Sequence, residues 1–133
     1  MRVLIVDDSD LRLIQLRALI EQNGHEVVEM ARDGAEAIER FRELRPDLVI
    51  MDLIMPRMNG LDGLRSILHI DPAARVVIAS SMRSPESALE AQRNGARFYL
   101  HKPYDAKVVQ SVLARIAAEV NGKAAAAPPA APP

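Results

Sequence analysis

The chain has 133 residues, 49% apolar and 26% charged, enough to bury the core of one compact domain and too few for a second. A net charge of -1, with basic residues scattered, leaves no footprint for nucleic acid, and the absence of cysteine excludes disulfides, thiolate metal sites and thiol nucleophiles. The apolar run at the N-terminus is too short for a secretory signal and nothing approaches a membrane span, so a cytoplasmic location is expected.

Strand and helix signals alternate, five of each, as parallel βαβ units require. Val3 to Val6, after Arg2, is a continuously apolar strand, followed by a helix over Asp10 to Gln22 that buries Leu13, Leu16 and Ile20 and stops at Asn23-Gly24. Glu26 to Met30 carries polar residues and is placed at a sheet edge. Asp33 caps a second helix with the stripe Ala37, Ile38, Phe41 and Leu44, and Pro46 separates it from the next strand. Leu48 to Met51 is apolar throughout and reads as central. A third helix follows Asn59-Gly60, with Leu61, Leu64, Ile67 and Leu68 on one side, and closes at Asp71-Pro72. Val76 to Ala79 is the third central strand. Ser84-Pro85-Glu86 opens a fourth helix with little apolar content, mainly Ala88, Leu89 and Ala91, ended by Asn94-Gly95. Arg97 to His101 is the second edge strand. Asp105 caps the fifth helix, whose stripe of Val109, Val112, Leu113, Ile116 and Val120 is the most regular in the chain. The folded domain is expected over 1–121, with an Ala/Pro-rich tail or truncated linker over 122–133.

Polar groups fall where the strands end. Asp7 and Asp8 follow the first strand, Asp52 the third, Ser80 and Ser81 the fourth, and Lys102 the fifth. In an open α/β sheet the ligand crevice lies beyond these carboxyl ends, so the groups converge on one site. Three carboxylates a few ångströms apart repel by roughly 3 to 4 kcal/mol per pair at an effective dielectric near 20, so they call for a cation. Hard oxygen ligands with no histidine among them favour Mg²⁺, with Mn²⁺ as the alternative. The chain has 14 arginines against Lys102, Lys107 and Lys123, so lysine at a strand end suggests a point charge aimed at an anion. Metal, amine and the Ser80 hydroxyl together make a receptor for a phosphoryl group. Asp52, ending a central strand ahead of the apolar loop Leu53-Ile54-Met55-Pro56, is the expected nucleophile and would carry an aspartyl phosphate.

Taken in order, Val6-Asp7-Asp8-Ser9, Asp33-Gly34, Met51-Asp52 with Met55-Pro56 and Asn59-Gly60, Ser80, Asn94-Gly95-Ala96 and Lys102-Pro103 resemble a two-component response-regulator receiver domain over residues 1 to about 120. The resemblance implies a single doubly wound, flavodoxin-like α/β domain with five parallel strands in the order 2-1-3-4-5 and helices on both faces. It also implies that Asp52 is the phosphoacceptor, that Asp8 and Asp52 ligate Mg²⁺ with the Ile54 backbone carbonyl, and that Asp7 acts largely through metal-bound water. Lys102 would pair with the phosphoryl group, Ser80 would be the switch hydroxyl, Tyr99 the switch aromatic, and Lys102-Pro103 a cis peptide. The partners implied are a sensor histidine kinase or phosphotransfer protein and a downstream protein target. Neither nucleic acid nor membrane is expected as a partner. The protein would be a monomer, with dimerisation on phosphorylation left open, and would catalyse only its own phosphorylation and dephosphorylation.

A stand-alone shuttle that meets a protein target, as in chemotaxis or a phosphorelay, is the favoured setting; the Ser80-Ser81 pair also resembles the receivers of chemotaxis methylesterases, so a receiver cut from a larger regulator is the alternative. A Mg²⁺-dependent phosphatase with an aspartate nucleophile is a weaker one. Such enzymes carry a second acid two residues after the nucleophile, where this chain has Ile54.

Overall fold

The computed structural model describes residues 1–122; the Ala/Pro-rich stretch from 123 onward lies outside the described residues. Five strands alternate with five helices: β1 (Arg2–Val6), α1 (Asp10–Gln22), β2 (Glu26–Ala31), α2 (Gly34–Leu44), β3 (Leu48–Asp52), α3 (Gly60–Ile70), β4 (Val76–Ser80), α4 (Pro85–Arg93), β5 (Phe98–His101) and α5 (Ala106–Val120). All pairings are parallel and the order is β2-β1-β3-β4-β5, as expected.

Alternation along each strand sorts its side chains into two cores. Leu4, Val6, Val49, Met51 and Ile78 face α2, α3 and α4 with Phe41, Leu64, Ile67 and Ala91. Ile5, Ile50, Val77 and Leu100 face α1 and α5 with Leu13, Leu16, Ile20, Val109 and Ile116. Strands covered on both faces have no polar side to present, which is why β1, β3 and β4 read as unbroken apolar runs.

The two edge strands differ. β2 is mostly half-buried, as its charged residues suggest, but Phe98, Tyr99 and Leu100 of β5 are all buried. The reason is coverage: α4 packs on one face of β5 and α5 on the other, so an edge strand is shielded without being central.

Helix ends follow the predicted punctuation with two exceptions. Ser9, Asp33, Asn59, Ser84 and Asp105 each accept a first-turn amide. At α2 the returning half of the capping box is shifted: Glu36 Oε2 accepts from the Arg32 amide at 3.3 Å, one residue before the cap. The same helix ends on Arg45 in the left-handed region (φ 45°), with its guanidinium over the Phe41 ring at 5.4 Å. A cation over an aromatic face offsets part of the cost of a non-glycine residue there.

Gly60 decides how the end of β3 meets a helix. A Cβ at this position would lie 2.3 Å from the Asp52 carbonyl oxygen, so only glycine lets the first turn of α3 rest against the end of β3. Gly24 has open space around it but a φ of +80°. Urea unfolding is expected to show Gly60→Ala destabilised by about 2 to 3 kcal/mol through collision, and Gly24→Ala by about 1 kcal/mol through backbone conformation alone.

Candidate functional site

The carboxyl ends of β1, β3, β4 and β5 form one rim, and the hydrogen bonds that continue the ladder past each strand hold its polar residues there. The Asp7 amide donates to the Ala31 carbonyl at 3.0 Å, Leu53 to Ala79 at 2.8 Å and Lys102 to Ser80 at 2.9 Å. One carboxylate oxygen from each of Asp7, Asp8 and Asp52 lies within 4.8 Å of the others. Asp7 and Asp52 are buried and Asp8 is exposed, so the cluster opens to solvent on the Asp8 side.

Lys102 sits among these acids and is 6% exposed. Its ammonium donates to Asp7 Oδ2 at 2.7 Å and pairs with Asp52 Oδ1 at 2.9 Å. The other Asp7 oxygen accepts from the Ser9 amide at 2.9 Å, which fixes that carboxylate from both ends. Burial pushes the Asp52 carboxyl above its ordinary range, the Lys102 ammonium pulls it back, and Asp7 and Asp8 add to the rise. Three carboxylates against one ammonium leave two negative charges in excess, and among the described residues no other acid, histidine or cysteine joins the cluster. A hard dication fits such a donor set.

On the other side of the rim, Ser80 is buried and its hydroxyl accepts from the Met82 amide at 3.0 Å. Tyr99 is also buried, and its hydroxyl donates to the Met82 carbonyl at 2.8 Å. The two residues predicted as switch groups are therefore joined through one residue of the β4–α4 loop. Ser81 is exposed. The Lys102–Pro103 peptide is cis, and Ile54 stands 60% exposed beside the acids. Met55 is packed in the core and Met58 against Gly34, away from any ligating role.

Three participants were not legible beforehand. Met82 contributes only its backbone, which leaves no sequence signal. Tyr104 lies near enough to Asp7 and Asp52 that these charges, after burial, raise its phenol out of the ordinary range; its position two residues after Lys102 was the available clue. The third is Arg57, whose guanidinium donates to the buried Asp33 carboxylate.

A parallel five-stranded sheet in the order 2-1-3-4-5, with acids, a lysine and a hydroxyl at its carboxyl edge, defines a doubly wound, flavodoxin-like α/β domain. The model of the response regulator receiver domain matches residues 3–114, and the chain belongs to this family. It is 39% identical over 115 residues to the chemotaxis protein CheY of Thermotoga maritima, covering 86% of this chain and 96% of that relative. The response regulator domain of Thermotoga maritima CheB superposes with a TM-score of 0.80 at 35% identity, covering 91% of this chain and 96% of that one. CheY in a CheX-CheY-BeF3-Mg²⁺ complex from Borrelia burgdorferi gives a TM-score of 0.80 at 28% identity, covering 91% and 89%.

With Lys102 replaced by methionine, Asp7 and Asp52 would keep their burial and lose their shared counterion. Lys102→Met is expected to cost about 3 kcal/mol in urea unfolding at neutral pH in metal-free buffer. A carboxyl raised in the folded state is stabilised by protonation, so this loss is greatest above the folded-state pKa of Asp52 and shrinks as pH falls through it. Unfolding curves at several pH values between neutrality and the carboxylate range check both the size and the sign.

Proposed function

We propose that this receiver domain is a phosphorylation-dependent switch in which a histidine kinase or phosphotransfer protein passes a phosphoryl group to Asp52. The changed face of α4, β5 and α5 then controls a protein partner. The observation that carries this reading is the shared ammonium: Lys102 lies 2.7 Å from Asp7 and 2.9 Å from Asp52 at the end of a central strand.

In this reading a carboxylate oxygen of Asp52 attacks phosphorus while the bond to the donor nitrogen breaks, its electron pair leaving with the imidazole. Asp8 and Asp52, with the Ile54 carbonyl, would hold Mg²⁺, and Asp7 would reach it largely through bound water. Bound there, the ion supplies positive charge against the negative charge gathering on the phosphoryl oxygens. Lys102 supplies a second positive charge and would move with Asp52 from a carboxylate to a phosphoryl oxygen. The likeness to a CheY captured with BeF3 and Mg²⁺ supports both assignments.

Switching would begin at Ser80. Turning towards a phosphoryl oxygen, its hydroxyl would release the Met82 amide, which frees a residue whose carbonyl is still held by Tyr99. A charge of about -1.5 to -2 gained at Asp52 would thus be read as a shift of the β4–α4 loop relative to β5. The protein would act in the cytoplasm and perform chemistry only on itself. Ile54 offers no proton to a leaving group, which argues against turnover of external phosphate esters.

The likeness to CheB, together with the Ser80-Ser81 pair, favours one second reading, in which the same switch is the regulatory part of a methylesterase. The site chemistry is common to both. A small phosphodonor such as acetyl phosphate with Mg²⁺ is expected to label the native protein with an acid-labile, hydroxylamine-sensitive acyl phosphate, and Asp52→Asn to take up no such label. Lys102→Arg is expected to accept some phosphate but to lose the accompanying change at Tyr99, read by its NMR resonances. Full labelling of Asp52→Asn would remove Asp52 from its role.

A further inference from the structure

The loop from β3 to α3 carries the Ile54 carbonyl, yet few hydrogen bonds tie it to its surroundings. Leu53 is anchored by its amide to Ala79 and by its carbonyl to the Gly60 amide, both at 2.8 Å. Between these anchors Ile54, Pro56 and Arg57 are exposed, while Met55 is buried. The Met58 amide bonds within the loop, to the Pro56 carbonyl at 2.8 Å. Among the described residues, one hydrogen-bonded ion pair links residues 54–58 to another element: the Arg57 guanidinium donates to Asp33 Oδ2.

The pair joins an exposed guanidinium to a buried carboxylate. Asp33 is 3% exposed and its other oxygen caps α2, accepting from the Glu36 amide at 2.8 Å. That cap bond leads the causes that hold its carboxyl below the usual range, with the Arg57 charge and hydrogen bond adding to it against burial. Arg57 lies in the left-handed region (φ 67°), which a non-glycine residue enters at a cost. Glycine would remove that cost but could not reach Asp33. Next to the pair, a Cβ at Gly34 would fall 2.8 to 2.9 Å from Met58, so the start of α2 and the loop are in close contact as well as bonded.

We infer that Arg57 and Asp33 form a latch that positions the β3–α3 loop, and with it the Ile54 carbonyl, for the cation site. This rests on the proposed Mg²⁺-dependent switch. Both are positioning residues, acting on the site through the loop.

The latch and simple long-range electrostatics predict opposite signs for one variant. Removing the positive charge of Arg57 would, through space, favour a cation; removing the latch would disfavour it. Titration calorimetry with Mg²⁺ is expected to show Arg57→Gln and Asp33→Asn each binding about two- to five-fold more weakly than the native protein, the span of a partly exposed ion pair. The double variant is expected to be no weaker than either single one, because one interaction is lost in all three. Amide exchange at Met58 without metal is expected to speed up in each. Arg57→Gly, which relieves the backbone, is expected to keep its stability in urea and still bind Mg²⁺ more weakly. Unchanged or tighter binding by Arg57→Gln, or additive losses in the double variant, would overturn the latch while leaving the switch intact. No Mg²⁺ uptake by the native protein would overturn both.

Discussion

Two buried carboxylates share one buried ammonium, and the remainder of the site is arranged around that fact. Asp7 and Asp52 end neighbouring parallel strands, so the sheet itself forces like charges together, and Lys102 reaches them from the far edge. Removing ions from water costs several kcal/mol each, so the trio survives only because each member is paired and hydrogen-bonded. It remains negative after that pairing. A group poised in this way responds to anything that alters its charge.

Function of this kind needs rigid strand ends and adjustable loops, and the fold separates the two. The strand ends are fixed by ladder bonds that continue one residue past Val6, Asp52 and His101. The two loops beside the acids are held more lightly, the β4–α4 loop at Met82 by Ser80 and Tyr99, and the β3–α3 loop at Arg57 by Asp33. Segments held by few bonds are those that open at low free energy, which suits them to move when the charge between them changes.

The layering explains why a change at the rim can reach the surface. Tyr99 belongs to the core beneath α3 and α4, and its ring packs edge-on to exposed His101 at 5.4 Å. Its hydroxyl end faces the β4–α4 loop and its strand is the edge of the sheet, so displacement of that loop has a short path to an outer face. By contrast α1 and α5 pack on the opposite face mainly through aliphatic side chains such as Leu13, Ile20, Val109 and Ile116.

Much of this was legible from the amino-acid order. Period-two and period-3.6 patterns, caps such as Ser84-Pro85 and stops such as Asn94-Gly95 are local signals, and they located all ten elements and the strand order once the family resemblance was drawn. The acids, Lys102 and Ser80 were visible because strand ends in a parallel sheet must share an edge. What tertiary structure alone decided is which groups touch. Coverage of β5 by two helices, the bond between Tyr99 and Met82, the Lys102 bridge and the pairing of Arg57 with Asp33 join residues 17 to 95 positions apart or arise from backbone atoms. Side-chain identity encodes local conformation strongly, but contacts at such separations depend on how the layers close, and a backbone amide looks the same at every residue.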